Sequence, residues 1–166
     1  MSKLYSYIYY LLINSVAGSH ICPNRLRKKI YNAFGHKVYG NVMAGCFLGA
    51  GPHGKLFLGK GSYINYKCFL DLGGNIIIGD NVAIGFCSIF INSSHQIGPS
   101  KLRAGEGGGQ DVYIGNGCWI GANCTIMPGV RIGEGCVIGA GSLVIHDCEP
   151  NCIYYGRPAK LVKRLD

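Results

Sequence analysis

Aliphatic residues recur at every sixth position over the C-terminal half of the chain. Their positions are Ile114, Ile120, Ile126, Ile132, Ile138 and Val144. A small or medium-sized residue follows each of them by four positions, and it is cysteine in four cases. A period of six fits neither an α-helix, with about 3.6 residues per turn, nor a plain alternating strand. It is typical of a solenoid in which each repeat contributes one short strand and one turn.

The six-residue spacing extends toward the N-terminus. The earlier aliphatic or aromatic positions are Val42, Leu48, Leu58, Ile64, Leu70, Ile78, Ile84 and Phe90. The phase shifts near GAGPHG (49–54) and LDLGG (70–74), which predicts loops there. Three repeats make one triangular coil, so about ten repeats predict three to four coils of parallel strands. The expected fold is an all-β solenoid of hexapeptide repeats.

The segment before the solenoid predicts helical structure. Pro23 stands near the first helical position, Gly35 ends the helix, and one face carries Leu26, Ile30 and Ala33 or Phe34. The tyrosine-rich stretch before it is a candidate second helix. We therefore divide the chain into a helical segment (1–40), a solenoid (41–148) with a loop extruded at about 93–112, and a basic tail (149–166).

Composition narrows the cellular setting. The longest apolar run, Leu4 to Ile13, is too short to cross a bilayer, and its flanks do not resemble a secretory signal. The nine cysteines recur at repeat positions, which predicts packing residues in a reducing compartment. We expect a cytoplasmic protein, and an association with the inner face of the membrane through the N-terminus stays open.

The net charge of +8 does not by itself indicate nucleic acid. Basic residues cluster in Arg25–Lys29 and in Arg157–Arg164, and no nucleic-acid-binding motif accompanies them. A phosphate-bearing small molecule or an anionic membrane surface would account for the charge equally well.

The stretch IGNGCWIGANCTIMPGVRIGEGCVIGAGSLV, followed by PN, YGRPAK and a basic tail, resembles the hexapeptide-repeat acyltransferases. The similarity runs from about Leu58 to Arg164 and is nearest to the galactoside, maltose and nodulation-type O-acetyltransferases and to those of capsule, O-antigen and exopolysaccharide synthesis. This resemblance implies a left-handed parallel β-helix, acetyl-CoA as acyl donor, no metal, and a homotrimer with active sites between subunits. It also implies a sugar acceptor in surface polysaccharide synthesis.

Two catalytic residues follow from the resemblance. His95 lies 17 residues after Ile78, and Asn65 lies 13 residues before it, which are the family's separations. Histidine titrates near neutral pH and suits a general base. We expect His95 to deprotonate the acceptor hydroxyl for direct attack on acetyl-CoA, and Asn65 to hold that hydroxyl or to orient the base.

The coenzyme-binding residues are also carried over from the family. Trp119 would pack on the acceptor or on pantetheine, and the region of Ala140 on the pantetheine arm. A backbone N–H near Gly121 and Ala122 would stabilise the oxyanion. The residues expected to contact the phosphates are Lys160 and Lys163, with Arg157 or Arg164 as further candidates.

Other functions were weighed against this one. A zinc carbonic anhydrase on the same solenoid would need a second histidine five residues after His95, where Ser100 stands. A non-sugar acceptor, such as a xenobiotic or an amino-acid hydroxyl, and a non-catalytic binding module remain alternatives. The tyrosine-rich N-terminus departs from the galactoside branch and leaves open whether the sugar is free, nucleotide-linked or lipid-linked. We assign no site role to the other four histidines, and nothing fixes a role for Glu106.

Overall fold

The computed structural model describes residues 3–49 and 54–166. His53 and most of the predicted loop GAGPHG lie outside the described residues. Two α-helices, α1 (Lys3–Tyr10) and α2 (Asn24–Ala33), flank a π-helical segment, Leu11–Ala17. The strands are β1 Lys37–Val38, β2 Asn41–Val42, β3 Phe47–Leu48, β4 Leu56–Leu58, β5 Tyr63–Ile64, β6 Phe69–Leu70, β7 Ile76–Ile78, β8 Ala83–Ile84, β9 Ile89–Phe90, β10 Ser93–Ile97, β11 Ala104–Gly109, β12 Val112–Ile114, β13 Trp119–Ile120, β14 Thr125–Ile126, β15 Arg131–Ile132, β16 Val137–Ile138, β17 Leu143–Val144, β18 Cys152–Gly156 and β19 Ala159–Arg164.

Every third strand of the solenoid stacks on the same face. The first sheet has the order β1-β4-β7-β12-β15, the second β2-β5-β8-β13-β16-β18-β19, and the third β3-β6-β9-β14-β17. The described strands thus form five complete coils, and the prediction of three to four was too low. The first coil begins with Val38. This residue lies only four positions before Val42, so the six-residue spacing did not reveal the first strand.

The solenoid interior is built from the periodic aliphatic positions. In successive coils of the first sheet, Leu58 stacks on Ile78, and Ile78 on Ile114. All the periodic positions named from the sequence are buried. The residue before each one points outward, because side chains alternate along a strand. The parallel solenoid predicted from the repeat is confirmed, and it agrees with the left-handed β-helix implied by the resemblance.

Most of the cysteines occupy coil corners, where their thiols are hydrogen-bonded as well as packed. Cys118 Sγ donates to the carbonyl of Gly133 at 3.0 Å. In the same column of the solenoid, Ser62 Oγ donates to Gly79 O at 2.6 Å, and Val82 fills the next coil without a donor. Burial raises the pKa of the Cys118 thiol to about 11, so it stays protonated at neutral pH. The expectation that the cysteines are structural is confirmed for this position.

The N-terminal helices close the open end of the solenoid, where β1, β2 and β3 are edge strands. Asn32 accepts from the N–H of Val38 in β1 at 2.8 Å and donates to its carbonyl at 3.4 Å. Asn14 makes the same pair of bonds with Leu48 in β3, at 2.9 and 3.0 Å. Each asparagine imitates the backbone of a neighbouring strand. The structure therefore pairs an edge that would otherwise be exposed.

Arg27 forms the hydrogen bond to the remaining edge strand, β2, and its side chain is buried. Its guanidinium donates to the carbonyl of Val42 in β2 at 2.7 Å. It also donates to the carbonyls of Ala17, Ser19 and Cys22 at 2.5, 2.8 and 3.0 Å. The three carbonyls belong to the turn between the helices, where backbone acceptors lack helical partners.

The inward face predicted for α2 was wrong at Leu26 and Ala33 and correct at Ile30 and Phe34. Arg27 and Tyr31 are buried, whereas Leu26 is 47% exposed. Ile30 and Phe34 are partly buried against the core. The helix turns its arginine inward because the buried carbonyls of the inter-helix turn and of β2 need a donor, a requirement that hydrophobic periodicity does not reveal.

His36 links the helical cap to the second coil. Its Nδ1 accepts from the N–H of Leu56 at 3.1 Å, so Nε2 carries the proton and donates to the hydroxyl of Tyr9 at 3.0 Å. Burial, followed by the charge of Lys55, lowers the pKa of His36 to about 4. The imidazole is neutral at physiological pH and has a purely structural environment.

No helix within 3–49 and 54–166 combines the length and the apolar character needed to cross a membrane. At the opposite end of the solenoid, β18 and β19 form an antiparallel hairpin that extends the second sheet beyond β16. The basic tail identified in the sequence is this hairpin.

Candidate active site

His95 lies on a β-hairpin that leaves the solenoid after β9. Strands β10 and β11 pair antiparallel, with His95 opposite Gly107. The extruded segment is a hairpin formed mostly by strands β10 and β11, and Val112, at the end of the predicted loop 93–112, already belongs to solenoid strand β12. His95 lines an open cavity of about 350 Å³ together with Glu106 and Gln110.

The backbone of the hairpin orients the imidazole of His95. Its Nδ1 lies 3.0 Å from the carbonyl of Gly105. Because a carbonyl oxygen can only accept, Nδ1 carries the proton in this contact and Nε2 presents its lone pair. Gly107 leaves room for the ring, since a Cβ there would lie 3.2 Å from its Cε1 atom. A main-chain carbonyl therefore supplies the orienting partner that the sequence could not identify.

A second cavity brings together most of the other residues predicted from the resemblance. The groove has a volume of about 460 Å³, and Asn65, Trp119, Gly121, Ala122 and Ala140 all line it. The side chain of Trp119 is 61% exposed, so its ring is available to a bound molecule. These positions come from consecutive coils, at the corner between the second and third sheets.

The side-chain oxygen of Asn65 accepts a local hydrogen bond, whereas its amide nitrogen is left to donate. Its Oδ1 accepts from the N–H of Tyr66 at 2.9 Å. Its Nδ2 forms no hydrogen bond with any other described residue, so both amide hydrogens can be donated to a molecule in the groove. The side chain can therefore act as a fixed donor to an oxygen atom.

The backbone geometry distinguishes the two candidate oxyanion donors. The N–H of Gly121 is used in the sheet, donating to Ile138 O at 2.7 Å. The N–H of Ala122 has no acceptor among the residues that the structure describes. A Cβ at Gly85 would lie only 2.4 Å from this nitrogen, so glycine keeps the donor accessible. The geometry therefore favours Ala122.

Three aromatic side chains at the groove were missed in the sequence. Tyr63 and Phe86 line it, and Tyr155 lies against Gly139, where a Cβ would be 2.3 Å from the ring. Tyr63, Ala83 and Trp119 occupy one register across three coils, which places a small residue between two aromatic ones. The signal was available for Tyr63, which precedes the periodic position Ile64 and must point outward, whereas Phe86 lies in a turn and Tyr155 lies beyond the repeats.

The candidate phosphate-binding residues lie beside the groove. Lys160 and Lys163 are exposed on β19, in the same sheet as the groove strand β16. Arg164 forms an ion pair with Glu149 at 2.6 Å, so this side chain already has an acidic partner. Arg157 is exposed, and its guanidinium is 3.5 Å from the carbonyl of Gly141. The two lysines are the better candidates.

One chain does not bring His95 and the groove together. The hairpin leaves at the corner between the third and first sheets, whereas the groove lies at the corner between the second and third. The residues that line the two cavities are entirely different. No cluster of three or more histidine, cysteine or acidic side chains suited to a metal occurs within 3–49 and 54–166.

Comparisons with known proteins agree with this architecture. A family profile described as bacterial transferase hexapeptide (six repeats) matches residues 111–146. A galactoside O-acetyltransferase of Lactococcus lactis is 31% identical over 135 residues, which cover 78% of this chain and 65% of that protein. The chain spans 55% to 65% of the length of the curated relatives compared.

Solved structures match over nearly the whole chain. A maltose O-acetyltransferase from Clostridium difficile has a TM-score of 0.79 and 26% identity, covering 99% of this chain and 90% of that one. A hexapeptide-repeat acetyltransferase from Vibrio cholerae, crystallised with acetyl coenzyme A, has a TM-score of 0.77 at 23% identity, covering 99% and 91%. The second similarity bears on the fold alone.

Proposed function

The chain belongs to the hexapeptide-repeat acyltransferases, and we propose that it is an acetyl-CoA-dependent O-acetyltransferase whose acceptor is a sugar hydroxyl. The observation that carries this proposal is the groove, in which an accessible backbone N–H of Ala122, an amide donor of Asn65 and the exposed ring of Trp119 face one space. Relatives named for galactoside and maltose acetylation support the choice of a saccharide.

We further propose a homotrimer in which each active site combines the hairpin of one subunit with the groove of its neighbour. The support is topological: His95 and the groove lie at different corners of the same triangular coil. A cyclic arrangement of three triangular prisms brings such corners together. The catalytic base and the oxyanion donor then come from different subunits.

The proposed reaction is a direct transfer. The acceptor oxygen attacks the carbonyl carbon of the thioester, and its proton moves to Nε2 of His95. The carbonyl oxygen becomes an oxyanion that accepts from the N–H of Ala122. The intermediate collapses by breaking the carbon–sulfur bond, and His95 returns the proton to the sulfur. The products are the acetylated sugar and CoA with a free thiol.

The remaining groove residues position the substrates. Asn65 donates to the acceptor oxygen, and Trp119 packs on the acceptor or on pantetheine. Ala140 lies along the pantetheine arm. Lys160 and Lys163 contact the phosphates through charge-assisted hydrogen bonds. We assign the product to surface polysaccharide, with capsule, O-antigen or exopolysaccharide as its class.

A thiol-release assay with acetyl-CoA and a panel of sugars tests the activity. His95→Ala should lower kcat by about 10²- to 10⁴-fold, the usual contribution of a general base, and leave the affinity for CoA nearly unchanged. His146→Ala is the matched control, because His146 is exposed and lines neither cavity. Equal activity of His95→Ala and the wild type would refute the assignment of the base, and turnover of a non-sugar acceptor alone would refute the acceptor class.

Mixing two inactive variants tests the shared site. If each site takes His95 and Asn65 from different subunits, mixed trimers of His95→Ala and Asn65→Ala contain one intact site. Random assortment then restores about a quarter of the wild-type activity. A site within one chain would restore none, and sedimentation of the wild type as a monomer would also exclude the proposed arrangement.

A further inference from the structure

The outer face of helix α1 is apolar. Leu4, Tyr7, Ile8 and Leu11 are 69%, 80%, 43% and 56% exposed. Their spacing of three and four residues places them on one side of a helix, and we call this set the outer stripe. The opposite side of the same helical segment is also apolar and is buried in the core. A surface helix normally exposes polar residues, so a contiguous apolar stripe marks an interaction surface.

The outer stripe continues into an apolar groove beside the solenoid. The groove has a volume of about 780 Å³ and is lined by Tyr7, Tyr10, Leu11 and Phe47, with Lys3 at its margin. The rings of Tyr10 and Phe47 lie 6.2 Å apart. Phe47 in turn stacks on Phe69 at 5.2 Å. The exposed apolar surface thus extends from the helix onto the third sheet.

The positive charge of the chain is concentrated in its N-terminal part. No aspartate or glutamate occurs before Asp71, whereas nine of the 16 lysine and arginine residues do. Arg27 is buried in the cap and is neutralised by carbonyl groups. Lys3, Arg25 and Lys29 are exposed on the helices. The helical cap therefore presents apolar and basic side chains without any acidic one.

We propose that the outer stripe of α1 docks on the surface of an anionic lipid bilayer. A helix with an apolar face and nearby lysines and arginines lies in the plane of the headgroups, with its aliphatic side chains inserted at the acyl boundary. Tyrosine favours this depth because its ring is apolar and its hydroxyl is polar. The basic residues are attracted to the anionic headgroups, which adds an electrostatic component to binding.

A twofold contact between two copies through the outer stripe fits this face less well, and a contact of the stripe with a different surface of a trimer neighbour is an outcome of the test below. An isologous contact through the stripe would bring two acid-free, basic surfaces together, and like charges across an interface oppose association. Anionic lipid supplies the missing negative charge and an apolar layer at once. The proposal is independent of the acetyl-transfer reaction. It involves the exposed side of the helical cap, and none of its residues belongs to the candidate active site.

Vesicle flotation with the full chain tests the proposal without acetyl-CoA. The wild type should bind vesicles of phosphatidylcholine mixed with phosphatidylglycerol, and it should bind phosphatidylcholine alone much more weakly. The variant Leu4→Gln/Tyr7→Gln/Leu11→Gln should lose about tenfold or more in affinity for the mixed vesicles. Ile97→Gln/Leu102→Gln is the matched control, because it removes two strongly exposed apolar side chains from the hairpin and should bind as the wild type does.

The charge component has its own variant. Lys3→Gln/Lys29→Gln should weaken binding to the mixed vesicles and reduce its dependence on salt concentration. Circular dichroism should be unchanged in every variant, because all the substituted side chains are exposed. Undiminished binding by the stripe variant, or no binding by the wild type, would overturn the proposal. So would a smaller assembly of the stripe variant in sedimentation, which would identify the surface as a contact between copies.

Discussion

The body of the solenoid and its N-terminal cap are stabilised in different ways. In the body, five coils repeat one arrangement, with a short parallel ladder on each face and one or two buried apolar residues per strand. In the cap, three individual side chains, Asn14, Arg27 and Asn32, each pair with a different edge strand. A repeated position has equivalents in neighbouring coils, whereas each capping side chain has none.

The corner columns of the body illustrate this interchangeability. Ser62, Val82 and Cys118 occupy the same place in successive coils, although only two of them donate a hydrogen bond. Arg27, in contrast, satisfies four buried carbonyls at once. We therefore expect stability to depend much more on single residues in the cap than on single corner residues in the body.

Removing the cap arginine should have the largest effect. Arg27→Met keeps most of the side-chain volume but leaves three carbonyls without a donor, since Ser19 O still accepts from Cys22 N at 3.4 Å, and each unsatisfied buried acceptor costs about 1–3 kcal/mol. We expect the free energy of unfolding in urea to fall by about 4 kcal/mol or the protein to fail to fold. Arg25→Met is the control: Arg25 is exposed on the same helix and should change stability by less than about 0.5 kcal/mol.

Acid should weaken the cap through His36. The folded state holds its pKa near 4, so between the ordinary value of about 6.5 and 4 the unfolded chain binds a proton that the folded protein does not. Stability from this group is complete above pH 6.5 and declines as the pH falls toward 4, by about 3 kcal/mol in total. Urea unfolding across this range should show a shallower dependence in His36→Gln. His20→Gln, at an exposed position, should retain the wild-type dependence.

Asn14→Ala should have an intermediate effect. The substitution removes both bonds to Leu48 and leaves the edge of β3 unpaired. We expect a loss of about 2 kcal/mol by chemical denaturation. Ser15→Ala, an exposed neighbour on the same π-helical segment, should be nearly neutral. Equal losses from the two alanines would mean that helix propensity, and not pairing with the edge strand, accounts for the effect.

A corner residue of the body should show the smallest effect. Cys118→Ser and Cys118→Val introduce residue types that this column already contains, so each should change stability by about 1 kcal/mol or less. Thermal unfolding of the two variants beside Arg27→Met measures the contrast directly. If Cys118→Val destabilised the protein as much as Arg27→Met does, the distinction between body and cap would fail.

The same distinction explains which parts of the fold the sequence could predict. A buried aliphatic residue at every sixth position is a local signal, and it correctly identified the solenoid strands from Leu58 to Val144, but not the two strands of the hairpin. Arg27 looked like one member of an exposed basic cluster, because the carbonyls that it satisfies come from turns and strands distant along the chain. Hydrophobic periodicity then selected Leu26 for the inward face.

The candidate site was predictable to a similar extent. Asn65, Trp119 and Ala140 came from the resemblance to a family, and the structure brings them into one groove. The choice of Ala122 over Gly121 depends on which of the two backbone N–H groups forms a hydrogen bond within the sheet. The residue types alone do not reveal this. The glycine-rich run Ala104–Gly109 was expected to be a loop, but it forms a strand because the preceding residues supply an antiparallel partner.

The pairing of the three edge strands also sets a limit on length. An uncapped coil would offer three parallel strands in fixed register, a template on which another solenoid could stack end to end. Because every added copy would renew that template, such stacking could continue into a filament. Asn14, Arg27 and Asn32 occupy the template within the same chain, so the cap keeps the protein a discrete particle instead of the first unit of a polymer.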